Sequence, residues 1–233
     1  MLPIGDDNHD RRRWPIVTAL FVAANVVAFF YELSLGEADG QQLAQFVQSW
    51  GVVPREFAEA RDLAPTIELP FFVTLVSSMF LHAGWGHLLG NMLYLWVFGD
   101  NVEDRLGRGA FVVFYVAAGL AAAGAQIIAS PDSLVPMIGA SGAVSGVLGA
   151  YLVLFPKKRV RVLMFYVVWE VPAFVVLGFW AAMQLVSGYA SVGSVEGAGG
   201  GGVAYLAHVG GLAAGVLVAL CWRGTVARRR AVR

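Results

Sequence analysis

Six runs of apolar residues divide the chain, at about 15–33, 85–99, 110–129, 139–155, 172–188 and 203–222, with polar segments between them. A helix needs roughly 17–25 residues to cross the hydrocarbon of a bilayer, so the pattern predicts an all-α, polytopic membrane protein of six spans. The second and fourth runs are short. They must either extend into their flanks or end inside the protein, and short spans ending inside suit an internal cavity. The longest polar segment, 34–70, carries Leu43, Phe46, Val47 and Trp50 at the 3, 4, 7 spacing of an amphipathic helix, which would rest its apolar face on lipid or on the bundle. Segment 161–170 reads as interfacial, with Glu170 a solvated residue just before the fifth span. A Gly/Ser-rich stretch at 189–202, ending in Gly199–Gly202, joins the last two spans. It is a flexible connector, or a hinge that lets the fifth span move sideways as a gate.

Composition agrees with this reading. With 58% hydrophobic and 14% charged residues and a mean hydropathy of +0.67, a water-soluble globular class is excluded. The net charge of zero conceals an asymmetry: assigned to alternate faces of six spans, all of the 16 Lys and Arg residues except Arg55 and Arg61 fall on one side. The positive-inside rule makes that side cytoplasmic, with both termini there. The expected organisation is a cytoplasmic tail over 1–14, a membrane domain over 15–222 and a basic tail over 223–233. Arg11–Arg13 precede a long run that contains Asn25, which favours a retained anchor over a cleaved signal. The Pro156–Arg159 cluster is read as a topology and anionic-lipid signal, with no nucleic-acid partner. Cys221 is the only cysteine, so it forms no intramolecular disulfide, and it is expected to be a small buried hydrophobe.

The chemistry lies in Gly139-Ala140-Ser141-Gly142 and Ala207-His208-Val209-Gly210-Gly211. Polar groups in hydrocarbon are costly and line a protein interior or a wet cavity. Ser141 and His208 are each 14 residues from the cytoplasmic ends of their spans, at Phe155 and Trp222, which is about 21 Å at ~1.5 Å per residue. They lie level, toward the outer face. A serine is a weak nucleophile without a base in hydrogen-bond reach, and His208 supplies one. No carboxylate is evident at that depth for a third member, so the pair is read as a dyad. His87 and Asn91, four apart on one helical face, with the Ser141 backbone N–H, would form an oxyanion hole. His82 is given a structural role in the preceding loop. A zinc site is the weaker reading of the histidines, since they lack a close pair and an acidic or cysteine fourth ligand. Gly142, Gly146 and Gly149 with Gly211 and Gly215 would let the fourth and sixth helices approach closely.

On these residues the chain resembles the rhomboid family of intramembrane serine proteases, from about Ser77 to Gly215. The motifs are His87-x-x-x-Asn91, Gly139-Ala140-Ser141-Gly142 and Ala207-His208-x-x-Gly211-x-x-x-Gly215. The resemblance implies a six-helix rhomboid-like bundle, Ser141 as nucleophile, His208 as general base, and His87 and Asn91 as oxyanion-hole residues. Gly139, Gly142, Gly211 and Gly215 would be structural supports, and Glu103-Asp104-Arg105-Leu106-Gly107 implies hydrogen-bonding structural roles for Glu103 and Arg105. It implies transmembrane protein substrates, a lipid environment and no metal or organic cofactor, with the bacterial inner membrane as the expected location. Two positions depart from the pattern. Ser145 stands where some relatives have an aromatic residue stacked on the histidine, leaving the residue that orients His208 open, with Tyr205 one turn away. Val73-Thr74 stands where some carry a Trp-Arg pair. The competing readings are a catalytically silent client-binding protein on the same scaffold and, more distantly, a transporter.

Overall fold

The computed structural model describes residues 2–192 and 204–231. Of the 189–202 stretch expected to be a flexible connector, residues 189–192 instead continue a helix, and the remainder, with Gly199–Gly202, lies outside the described residues. Six apolar helices build the core: α1 (Ile16–Ala38), α5 (Trp85–Leu106), α6 (Arg108–Ala129), α7 (Ser141–Leu154), α8 (Ala173–Val192) and α9 (Tyr205–Ala231). Three short helices, α2 (Gly40–Trp50), α3 (Pro54–Glu59) and α4 (Thr74–Ser77), cover the end away from the termini. Of the six, α1, α6 and residues 205–223 of α9 are each long and apolar enough to cross a bilayer unaided, while α5 qualifies together with the bent segment Phe71–Phe80 before it.

The two short runs resolve differently. The second lengthens into α5 by a polar last turn containing Asp100, Asn101 and Glu103, all buried. The fourth stays short: α7 has 14 residues, is buried throughout 142–151, and ends before Pro156, which cannot continue a helix and pushes its predecessor out of the helical region. An apolar helix this short is held by protein rather than by lipid.

Small residues set its packing. A Cβ at Gly211 would run into the Gly142 carbonyl, and one at Gly215 into the Gly146 carbonyl. On the other side, a Cβ at Gly142 would come within 2.5 Å of the Ala122 Cβ on α6. Backbones approach this closely only where side chains are absent or minimal. Pairing of 142 with 211 and of 146 with 215 also fixes a parallel register, which places His208 level with Gly139, two residues (about 3 Å) above Ser141.

The end that carries the termini holds an unexpected three-stranded antiparallel sheet, β1 (Leu2–Asp6), β2 (Arg159–Met164) and β3 (Val167–Pro172), in that order. In β2, Val160 and Val162 point into the core and Arg159 and Arg161 outward, the two-residue alternation of a half-buried strand. A two-residue turn at Phe165 and Tyr166, with φ of 50° and 63°, closes the hairpin, as tight hairpin turns require. Residues 2–6 are therefore a strand rather than free tail, and 161–170 is a hairpin. Behind the sheet, Asn101 donates to Asp6 at 2.8 Å, Lys158 pairs with Asp10 at 2.6 Å and Arg11 with Asp100 at 2.6 Å. Buried polar groups are kept when they find partners in this way.

Glu103 accepts hydrogen bonds from the Val17 N–H (3.1 Å), the Thr18 N–H (2.8 Å) and the Thr18 hydroxyl (2.8 Å). It thus caps α1 from another helix, placing a carboxylate at the positive end of the helix dipole where Pro15 offers no side-chain cap. Arg105 lies with its guanidinium 5.1 Å from the Phe155 ring centroid, a cation–π contact tying α5 to the end of α7. Cys221 is exposed, a correction to the expected burial: it lies on the outward side of α9, where an apolar environment comes from lipid instead of from protein.

Candidate active site

The turn that presents Ser141 is fixed from several sides. Val52 and Met137 exchange backbone hydrogen bonds of 3.0 and 2.7 Å, linking the segment after α2 to the one before α7. The Gly139 N–H donates to the Ser78 carbonyl at 2.8 Å, and the Ser77 hydroxyl to the Trp50 carbonyl at 2.8 Å. Gly139 has φ +118°, a conformation side chains rarely adopt. A Cβ there would also lie 2.7 Å from His87 Nε2 and 3.7 Å from Asn91 Nδ2. Glycine at 139 is what lets the imidazole and the amide on α5 stand against the backbone two residues before Ser141.

A cavity of about 1120 Å³ opens here, lined by His87, Asn91, Gly139, Ser141, Trp180 and His208 among others. The structure therefore brings the four sequence-predicted polar residues to one cavity from α5, α7 and α9. Ser141 and His208 face it without a direct hydrogen bond between them; such bonds are often long before substrate binds and tighten with it. Asn91 is 7% exposed and its Nδ2 has no hydrogen-bond partner among the described residues. A buried donor left unpaired is costly, and this one borders the cavity. His87 Nδ1 accepts a long bond, 3.4 Å, from the Ala83 N–H, which leaves the proton on Nε2, the nitrogen beside Gly139.

The surroundings of His208 answer the question that Ser145 left open. Ser145 donates its hydroxyl to the Ser141 carbonyl at 2.6 Å, a bond within α7 that leaves it no role at the imidazole. Tyr205 presents its ring edgewise to His208 at 6.4 Å, and Trp180 lies tilted at 6.1 Å. Among the described residues, the hydrogen bond to the ring is between Nδ1 and Gln184 Oε1, at 2.7 Å. Gln184 was missed from sequence, although a glutamine within the apolar fifth run was a visible signal. A buried acid was missed as well, inside the first apolar run itself: Glu32, 2% exposed on α1. Its carboxylate accepts the His82 N–H at 3.1 Å, so it anchors a loop and is no third member of the Ser141–His208 pair. His82 is buried, with Nδ1 3.3 Å from the Phe80 carbonyl, the local loop bonding expected of it. Among the described residues, no three His, Cys, Asp or Glu side chains converge as metal ligands would.

A helical bundle with several membrane-crossing helices that encloses a hydroxyl, an imidazole and an amide donor defines a class: multi-pass integral membrane proteins with a polar internal cavity. Residues 71–224 match the Rhomboid domain, and the chain belongs to the rhomboid family. It is 33% identical over 146 residues to the rhomboid protease GluP of Bacillus subtilis, covering 62% of this chain and 26% of that protein. It is 32% identical over 149 residues to the mitochondrial rhomboid protein 1 of Saccharomyces cerevisiae, covering 62% of this chain and 40% of that protein. A putative rhomboid protease of B. subtilis, YdcA, matches at 34% over 88 residues, 37% of this chain and 44% of that protein. The chain thus spans less than half the length of these relatives.

Proposed function

We propose that this protein is an intramembrane serine endopeptidase that hydrolyses peptide bonds in or beside the transmembrane helices of other membrane proteins. The observation that carries the proposal is the convergence of Ser141, His208, His87 and Asn91 on one cavity around Gly139. Ser141 Oγ attacks the scissile carbonyl while its proton passes to His208 Nε2. The negative charge that develops on the carbonyl oxygen is met by the Asn91 amide, His87 Nε2–H and the Ser141 backbone N–H. His208 then returns the proton to the leaving amine, and water, activated by the same base, releases the acyl group from Ser141. Helical amides are protected by their own hydrogen bonds, so the substrate must unwind locally before it is cut. Gly139, Gly142, Gly211 and Gly215 act as supports that set the distances.

In this reading the end bearing the sheet and the basic residues is cytoplasmic, with both termini there, and the cavity opens toward the outer face. The membrane domain runs over 15–222, and the partners are transmembrane proteins and lipid. The test is cleavage of a reporter transmembrane segment by purified protein. The wild type should cut, while Ser141→Ala and His208→Ala, folded to the same degree, should not. Equal cleavage by all three would refute the assignment, and no cleavage across several reporters would favour the silent client-binding alternative.

A further inference from the structure

A histidine that takes a proton on Nε2 must already carry one on Nδ1, and some group must accept that Nδ1 proton and hold the ring. The neighbours of His208 narrow the choice. Ser145 is committed to the Ser141 carbonyl. Tyr205 and Trp180 pack against the ring at centroid separations of 6.4 and 6.1 Å without bonding it. Gln184 Oε1 stands 2.7 Å from Nδ1. It sits on α8 four residues after Trp180, so the two side chains share one helical face, and that face meets the imidazole.

Resting on the dyad reading above, we propose that Gln184 is the positioning residue of the site: its side-chain carbonyl accepts the Nδ1 proton of His208 and so directs the Nε2 lone pair at Ser141. The direction of the amide matters. A carbonyl toward the ring demands Nδ1–H and frees Nε2 as a base. An amide NH₂ toward it would demand a lone pair on Nδ1 and a proton on Nε2, which disables the base. When Ser141 gives up its proton, the imidazole becomes a cation bearing protons on both nitrogens, and the Gln184 carbonyl dipole faces the Nδ1 side without adding a formal charge. When Nε2 passes its proton to the leaving amine, the ring returns to the Nδ1–H form that Gln184 favours. A neutral glutamine suits this place, since an ionised acid on an apolar helix costs far more to keep within the bilayer. The nucleophile is on α7 and the base on α9, yet the base is oriented from α8, so all three helices must be in place for the site to work.

The test compares purified full chains of the wild type, Gln184→Leu and Gln184→Glu, reading kcat and KM on a reporter transmembrane segment, and the His208 tautomer from imidazole ¹⁵N shifts. Gln184→Leu should lower kcat by about 10- to 100-fold, part of the ~10²–10⁴-fold that a positioned acid–base supplies. Its KM should stay within about two-fold, as expected for an interaction that acts only in the transition state. The wild-type ring should be in the Nδ1–H form, Gln184→Leu should give a mixture, and Gln184→Glu, which keeps an acceptor, should recover most of kcat. The proposal fails if Gln184→Leu keeps wild-type kcat, if it changes KM alone, or if the wild-type ring is protonated on Nε2. The tautomer readout on the wild type stands even if a variant does not fold. Should Ser141→Ala and His208→Ala still cut, the dyad itself falls; should they be dead while Gln184→Leu is fully active, only the role of Gln184 falls.

Discussion

Two glycine-to-alanine substitutions of identical chemistry should move this protein in opposite directions. A methyl at Gly211 would collide with the Gly142 carbonyl oxygen and stand 3.0 Å from its carbon and 3.4 Å from the Ser145 Cβ. The obstacle is backbone, so relief requires α7 and α9 to separate by about 1.5 Å to reach ordinary contact near ~3.5–4 Å. Overpacking of this kind costs about 2–3 kcal/mol, offset by about 1 kcal/mol from replacing glycine with alanine in a helix. The net loss of about 1–2 kcal/mol corresponds to roughly 3–8 °C in Tm for a chain of this size. The same shift carries His208 away from Ser141, and ~1 Å of misplacement costs on the order of 100-fold in rate. A methyl added at Gly178 on α8 would meet no atom of the described residues within 4 Å, so Gly178→Ala should raise stability by about 0.5–1 kcal/mol and leave activity alone. Thermal unfolding in detergent and the rate of reporter cleavage decide the matter. If Gly211→Ala keeps Tm within about 1 °C and cleavage within about two-fold of wild type, the register and its link to the site are wrong.

Glu103→Ala leaves the Val17 and Thr18 N–H groups without their buried acceptor; at about 1–3 kcal/mol per stranded donor, Tm should fall by roughly 5 °C or more, whereas Glu103→Gln, which keeps an acceptor oxygen, should lose less. A fall of under about 2 °C for Glu103→Ala would contradict the capping role. Burial raises the Asp6 carboxyl from 3.8 to about 7, helped by the Asp100 and Asp7 carboxylates and opposed by the Tyr151 hydroxyl and Lys158. Because the folded-state value lies above the unfolded one, the stability from this group is fully present below about pH 4 and lost as pH rises through about 7. The difference is worth about 4 kcal/mol. Asp6→Asn should therefore flatten the decline of Tm between about pH 4 and 7, and a profile parallel to wild type would refute this.

The parts of the molecule readable from sequence are those whose signal is local. Leu43, Phe46, Val47 and Trp50 lie on α2, where their spacing put an amphipathic helix. Ser141, His208, His87 and Asn91 reach one cavity because depth along a helix follows from residue count, and the Gly142–Gly211 contact is inherent in the small-residue pattern. The sheet is different. Val160 and Val162 alternate with Arg159 and Arg161, yet the charges drew attention to topology, and β1 is set against β2 by a pairing between Asp6 and Val160 that no local pattern announces. Glu32 and Gln184 share another cause. Each is one polar residue in or beside an apolar run, and only packing reveals what it bonds: the His82 N–H for one, the His208 ring for the other.

The central claim is that Ser141 is a nucleophile activated by His208, and mass spectrometry of the protein after reaction with a fluorophosphonate probe tests it most directly. The account predicts one covalent adduct, on Ser141, formed by the wild type and lost in both Ser141→Ala and His208→Ala. An adduct on Ser145 or Ser78, or undiminished labelling of the His208→Ala protein, would contradict it.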